Sequence, residues 1–407
     1  MGVFIKMAWR NMFRNKRRTL LAGLAVGIGL AALIFTDALV IGMNQNMIRS
    51  ATASFLGEGQ IHREGFQETM EVEETIRSLD TVVDSLKQES YVDSFTQRVY
   101  SYAMITSAAN LQSISMVGIK PETERALSQI DDVMQQGDYL EGANPRDVVI
   151  GSELAEILEV EIDDRVVITV AQAETGDLSQ EMFRISGIYR FGINEMDQSM
   201  AFVRIEKAQE MLNISGIHEI AINFTSDDIG QNRDHSFWDE YSQFGNKAQG
   251  WVELNPQLAS YMQISDFMTY FIGLILFGVV ALGIVNTLFM SLHERMFEFG
   301  VLRAVGTRPF AMGRLVVFEA AALSILSIIV GVVLGFLVTY LTSFVGIDYT
   351  GIEVVGVTIR EKIYPVLEIT QFIEYPFWVL IFTTITGIYP GWYAARMEPA
   401  DAMRKSF

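Results

Sequence analysis

The chain has 407 residues, half of them hydrophobic, with 49 acidic against 30 basic residues and a net charge of −19. It contains no cysteine, which excludes disulfides, thiolate metal sites and acylation of this chain as a lipoprotein. A positive mean hydropathy and four long apolar stretches exclude most soluble-enzyme classes and point to transport, export or signalling.

Residues 1–18 alternate apolar and basic positions, with Val3, Phe4, Met7, Ala8 and Phe13 able to share a helical face. This suits a helix lying in the membrane interface. The first apolar stretch, 19–43, is long enough to cross a bilayer core. It is too long for a cleaved signal core and is read as a retained anchor. Gly23, Gly27 and Gly29 lie inside it and read as small residues that let helices approach closely.

Residues 44–266 are polar and of mixed pattern, enough for a folded α+β domain. Helical spacing is expected over Glu73–Gln88 and Ser152–Glu159, and again over Arg204–Leu212. Strands are expected at Val99–Thr106, Ser113–Gly118, Val148–Ile150 and Ile217–Phe224. A hairpin is expected from Arg165–Ala171 and Met182–Gly187 across Thr175-Gly176-Asp177. Two lobes are expected: one from about 65–105 and 215–255, the other from about 110–210 inserted into it. Both connections to the membrane should extend outward as helical stalks.

Three further spans follow at 267–292, 315–345 and 376–395, separated by a loop at 293–314 and another at 346–375, with a tail at 396–407. The fold class is therefore an α-helical membrane protein with four transmembrane helices and an α+β domain inserted between helices 1 and 2. A strand-like run, Val354–Ile359, lies in the last long loop. Lys6, Arg10, Arg14, Lys16, Arg17 and Arg18 precede the first span. Arg295, Arg303, Arg308 and Arg314 lie between the second and third, and Arg396, Arg404 and Lys405 follow the fourth. The positive-inside rule puts these segments in the cytoplasm and the acidic domain outside. Only Asp37 and Glu319 interrupt the apolar runs, each near a span end. An intramembrane acid is a functional candidate by default, and a solvated or backbone-paired role competes with that reading.

Catalytic constellations are missing. There is no Gly-x-x-x-x-Gly-Lys-Ser/Thr phosphate loop, no Gly-x-Ser-x-Gly and no His-Glu-x-x-His. His62, His218, His235 and His293 have no ligand spacing, so neither a metal site nor a cofactor of the chain's own is expected. No nucleic-acid partner is expected either.

Two segments carry more information. The first runs His293-Glu294-Arg295-Met296-Phe297-Glu298-Phe299-Gly300-Val301-Leu302-Arg303-Ala304-Val305-Gly306 and is expected to continue the second span without a break. If helical, it puts Phe297, Val301 and Ala304 on one face. The second is Tyr389-Pro390-Gly391-Trp392-Tyr393-Ala394-Ala395-Arg396-Met397-Glu398-Pro399, turning at Pro399 into a short terminal helix. Together with the opening Ala8-Trp9-Arg10-Asn11, they resemble the MacB/FtsX-type ABC permeases, also called type VII. The resemblance covers essentially the whole chain. The layout is most similar to the lipoprotein-releasing LolC/LolE branch. MacB proper carries its own ATPase, and FtsX proper has a smaller external domain.

That resemblance implies a permease subunit, not itself an enzyme, in a bacterial inner membrane with its large domain in the periplasm. Partners implied are two copies of an ABC ATPase holding ATP and magnesium, a second permease chain of the same or a homologous kind, a periplasmic carrier or adaptor, and membrane lipid. It implies ATPase coupling through Glu294, Glu298, Phe299, Gly300, Leu302, Arg303, Ala304 and Gly306. The expected activity is ATP-driven extraction of lipoproteins from the outer leaflet. Alternatives are efflux of drugs, peptides or other amphiphiles, and non-transporting control of a periplasmic cell-wall enzyme. An apolar cleft for acyl chains could be lined by Phe35, Leu39, Met43, Met47, Met262, Phe267 and Phe271.

Overall fold

The computed structural model describes residues 16–142, 144–350, 352–354, 357–359 and 362–396. The interfacial helix expected over residues 1–18 lies outside them up to residue 15, as does the helix expected after Pro399. The chain divides into two compact units. One holds the described parts of 1–45, 262–348 and 361–407; the other holds those of 46–261 and 349–360.

The first unit is helical. Among the described residues, four helical stretches are long and apolar enough to cross a membrane: Thr19–Leu56, Pro256–Glu294, Pro309–Val345 and Gln371–Ala395. Pro309 sits at the first position of its helix, where a missing N–H costs nothing. Leu30, Ile34, Val280, Ile284, Ala320 and Val379 form the core between the helices. Small residues set the spacing. A Cβ on Gly331 would meet the Gly27 carbonyl oxygen at 2.8 Å, and one on Gly27 would meet Val330 at 3.0 Å, so the first and third spans touch backbone to backbone. Gly29 faces Val280 of the second span. Small residues in the first span therefore serve helix packing.

The second unit is built on a ten-stranded sheet in the order β10-β1-β9-β2-β3-β8-β5-β7-β4, with β6 bridging β7 and β2. The strands are β1 (Gly59–Arg63), β2 (Val92–Thr106), β3 (Leu111–Ile119), β4 (Met134–Gly137), β5 (Asp147–Gly151), β6 (Arg165–Ala171), β7 (Leu178–Tyr189), β8 (Met200–Arg204), β9 (Glu219–Phe224) and β10 (Asn246–Gly250). Because β6 pairs with both β7 and the far end of β2, the strands β2-β3-β8-β5-β7-β6 close into a ring. The remaining strands extend from the other end of β2, where Val92–Arg98 pairs with β9. The two expected lobes are thus two parts of one sheet, and the 15-residue β2 belongs to both.

Many strands are buried on both faces. Val148 and Ile150 join one core with Met116, Ile168, Phe183 and Val203, while Val149 joins another with Val117, Tyr189 and Phe202. The expected helix over Glu73–Gln88 is cut down to Leu79–Leu86. The Ile76 N–H donates to the Ile217 carbonyl and the Arg77 N–H to Asn246 Oδ1, so tertiary partners take the bonds a helix would need. The expected strand at Val354–Ile359 becomes a two-residue pairing of Glu353–Val354 with Val357–Thr358.

Candidate functional site: a pinned helix between the second and third spans

The second span helix stops at Glu294, and a separate helix, Met296–Ala304, follows. This corrects the expectation of an unbroken run. Arg295 breaks the helix with φ −109° and ψ 14° and becomes the residue before the short one. Its side chain explains the break. One arm reaches Glu319 of the third span, Nε donates to Glu298 at 3.1 Å, and the guanidinium lies 5.1 Å from the centre of the Phe299 ring. Glu319 is nearly buried and its ion pair with Arg295 ties the short helix to the third span. The sequence offers Glu319 a functional, solvated or backbone-paired role; the structure gives it a side-chain ion pair.

The far end is as well defined. Thr307 N–H donates to the Leu302 carbonyl and Gly306 N–H to the Arg303 carbonyl, the paired closure of a Schellman motif. Gly306 has φ +99°, in the region that favours glycine. Glu298 in the first turn and Arg303 in the last suit the helix dipole.

Two faces follow from this fixation. Phe299, 1% exposed, and Gly300 point into a cluster with Leu292, Met312, Leu315, Val316 and Ala394. The motif at the end of the fourth span therefore meets the motif of the loop: Ala394 and Phe299 share one buried cluster, and Phe289 packs edge-on against Tyr389 and Tyr393 at 5.4 Å each. The other face is open. Phe297, Val301, Ala304 and Val305 recur at helical spacing and are all exposed, Val305 by 83%. Phe310 adds a further exposed ring just beyond.

Of the expected coupling residues, Glu294 is exposed at the end of the second span. Glu298, Leu302 and Arg303 are half-buried, Ala304 and Gly306 exposed, and Phe299 and Gly300 internal. Arg303 reaches the Thr307 carbonyl at 3.5 Å. Val305, Phe310 and the pinning Arg295 were missed. The first two could have been read by continuing the spacing from Phe297, whereas the pin joins residues too far apart for any local pattern.

The expected cleft residues differ in burial. Phe35, Leu39 and Met43 are half-buried along one stripe of the first helix, and Met47, farther along it, is 1% exposed. On the second helix Met262 is half-buried, while Phe267 and Phe271 stand open with Ile264, Met268 and Ile275.

A family model described as the MacB-like periplasmic core domain matches residues 19–231, and one described as the FtsX-like permease C-terminal matches residues 270–399. The chain is a MacB/FtsX-type ABC transporter permease. This permease is 23% identical over 315 residues to the lipoprotein-releasing system transmembrane protein LolC of Xylella fastidiosa, covering 72% of this chain and 73% of that one. It is 21% identical over 419 residues to the LolE protein of the same system in Haemophilus influenzae, covering 98% of both. Among solved structures, the periplasmic region of MacB from Actinobacillus actinomycetemcomitans aligns over 52% of this chain and 95% of that chain, at 13% identity and a TM-score of 0.35. The permease is accordingly a multi-pass membrane protein whose homologous subunits are not themselves catalytic.

Proposed function

We propose that this permease works with a separate ABC ATPase, holding ATP and magnesium, to release lipoproteins from the outer leaflet of a bacterial inner membrane. The observation that carries the coupling half is the exposed apolar face of Met296–Ala304 on a helix that is pinned at Arg295 and closed at Gly306. A rigid lever with an unpaired apolar face fits a groove on an ATPase and passes its motion to the second and third spans. Two ATPase copies would serve a dimer of permease chains. The lipoprotein half is supported by the names of the Lol relatives, one of them aligned over almost the full length. The open row Phe267, Met268, Phe271 and Ile275 supplies apolar surface for acyl chains, each buried methylene contributing about 0.8 kcal/mol.

A photo-crosslinker at Met262, with the permease in native membranes, tests the substrate. It should capture a lipid-modified protein without nucleotide and lose it when ATP is trapped. Capture confined to drugs or soluble peptides, or capture indifferent to nucleotide, would replace lipoprotein release with efflux.

A further inference from the structure

The membrane unit holds a second feature, away from the short helix. A cavity of about 610 Å³ opens between the first, second and fourth spans and the segment 368–371. That size suits the head of a small amphiphile. Its shape has a local cause. The last long loop is drawn onto the first helix by the Val366 N–H, which donates to the Ala38 carbonyl at 2.9 Å, and by the close approach of the Tyr364 carbonyl to Gly42, where no side chain fits.

Among apolar neighbours such as Val40, Ile41 and Phe277, four acidic side chains reach it from three stretches of the chain. Asp37 comes from the first span, Asp266 from the second, and Glu368 and Glu374 from the approach to the fourth and from its first turn. Tyr270 and Trp378, both largely exposed, stand at the same cavity. Carboxylates beside aromatic faces select a cation, since the ring face carries the negative side of its quadrupole. The carboxylates do not converge on a point: among the described residues no three acidic or histidine side chains are grouped to chelate a metal ion. Spread charge with aromatic walls fits an organic cation.

Asn44 narrows the chemistry. It lies two turns after Asp37 on the same helix face, lines the same cavity, and is nine-tenths buried. Its Oδ1 accepts no hydrogen bond from any described residue. A buried acceptor left unmet is rare and costly. What it lacks is a donor, and a quaternary ammonium has none to offer.

We infer that this cavity binds the protonated primary amine of an amphiphile, with Asn44 Oδ1 and the Asp37 carboxylate as acceptors and Tyr270 and Trp378 beside the cation. Such an amine could belong to an ethanolamine phospholipid or to an extracted amphiphile; the shared chemistry is the alkylammonium. The inference does not depend on the proposed coupling or substrate, because binding is read without ATPase or nucleotide.

The test uses the full chain in phosphatidylglycerol nanodiscs, with dodecylammonium as probe and dodecyltrimethylammonium as the donor-free control, by isothermal titration. The primary amine should bind at least about tenfold more tightly than the control, a difference of one good hydrogen bond. Asn44→Leu should erase that preference, and Glu374→Gln should weaken both probes while the thermal midpoint stays unchanged. If Asp37→Asn lowers the midpoint, the other two variants still decide. Replacing phosphatidylglycerol by phosphatidylethanolamine should abolish probe binding if the headgroup is the natural occupant and leave it intact if a foreign amphiphile is; both outcomes support the site. Equal affinity for the two probes, displacement by calcium alone, or insensitivity to Asn44→Leu overturns it.

Discussion

The Arg295–Glu319 pair shows how one side chain can define an element. Without it, the helix of the second span would have no reason to stop at Glu294. Removing one partner of a nearly buried pair leaves the other charge unmet, at a cost of about 3 kcal/mol. Glu319→Gln should therefore free the short helix and lower coupled ATP turnover, while Glu294→Gln, at an exposed position, should change it little. Equal turnover in both variants would remove the pin from the mechanism. In the other unit, Phe66 is stacked between His62 and His218, at 5.7 and 4.8 Å. Burial pushes His62 down to about 3 and holds His218 below the usual histidine range. His218 is also committed to the neutral form by its bonds, its Nδ1 accepting from Tyr100 N–H and its Nε2 donating to the Val72 carbonyl. Both folded values lie below the unfolded one, so the unfolded chain binds more protons. Stability is full above about pH 6.5 and falls on acidification, for His62 down to about pH 3, by up to about 1.4 kcal/mol per pH step for each histidine while it is still neutral in the fold. Amide protection factors along β1 and β9 of the full chain, corrected for the intrinsic pH dependence of exchange, should fall on acidification across that window. His218→Asn should flatten the response, and an unchanged pH profile would contradict the assignment of His218 as neutral.

Among elements, the short helix owes its two faces to its two ends. With Arg295 and Gly306 closing it, rotation about its axis is blocked, and Phe297, Val301 and Val305 must stay outward. Val301→Glu puts a charge in the middle of that face without touching the Phe299 cluster. It should weaken ATPase association at least about tenfold, as expected of a buried charge at an interface core, and leave the thermal midpoint alone. The partner is to be recognised by its own phosphate loop and ATP turnover in co-purification. Undiminished association would move the docking site elsewhere. A comparable device ends the helix of the first span. Its last turn, Thr52–Leu56, is wound as a π-helix, with Gly57 N–H bonding Thr52, and sets Phe55 over the guanidinium of Arg98 at 3.7 Å. Arg98 is fully buried. Burial opposes its charge, but Glu124 and Glu219 outweigh that and raise its pKa above the usual arginine value. Within the second unit, the π-turn thus packs on a buried charged cluster that ties β2 to β9.

For the whole molecule, coupling to a cytoplasmic ATPase requires the short helix to face the cytoplasm. The chain has no cysteine, so single cysteines report sidedness without background. Asp177 lies in the turn between β6 and β7 and is exposed. An Asp177→Cys variant should react with an impermeant maleimide from the periplasmic face of intact cells, and Ser406→Cys should not. The reverse pattern would invert the topology and place the short helix where no cytoplasmic ATPase could reach it.

Much of this was written in one dimension. Four apolar runs, a basic bias between them and turn residues around alternating strands depend on local spacing and on the cost of burying polar groups in lipid. They were readable in residues such as Arg165–Ala171, whose alternation matches its strand to the residue. So was the open face of the short helix, through Phe297, Val301 and Ala304. What no window could show are the pairings of distant residues: Arg295 with Glu319, Arg98 with Glu124 and Glu219, Gly27 against Gly331, and β6 closing back on β2. Each depends on which surfaces meet once the chain is folded. The cavity around Asp37 and Asn44 is of that second kind. Its acids come from three stretches of sequence, around Asp37, Asp266 and Glu368–Glu374, and only the packing of three spans and one loop brings their charges to a common space.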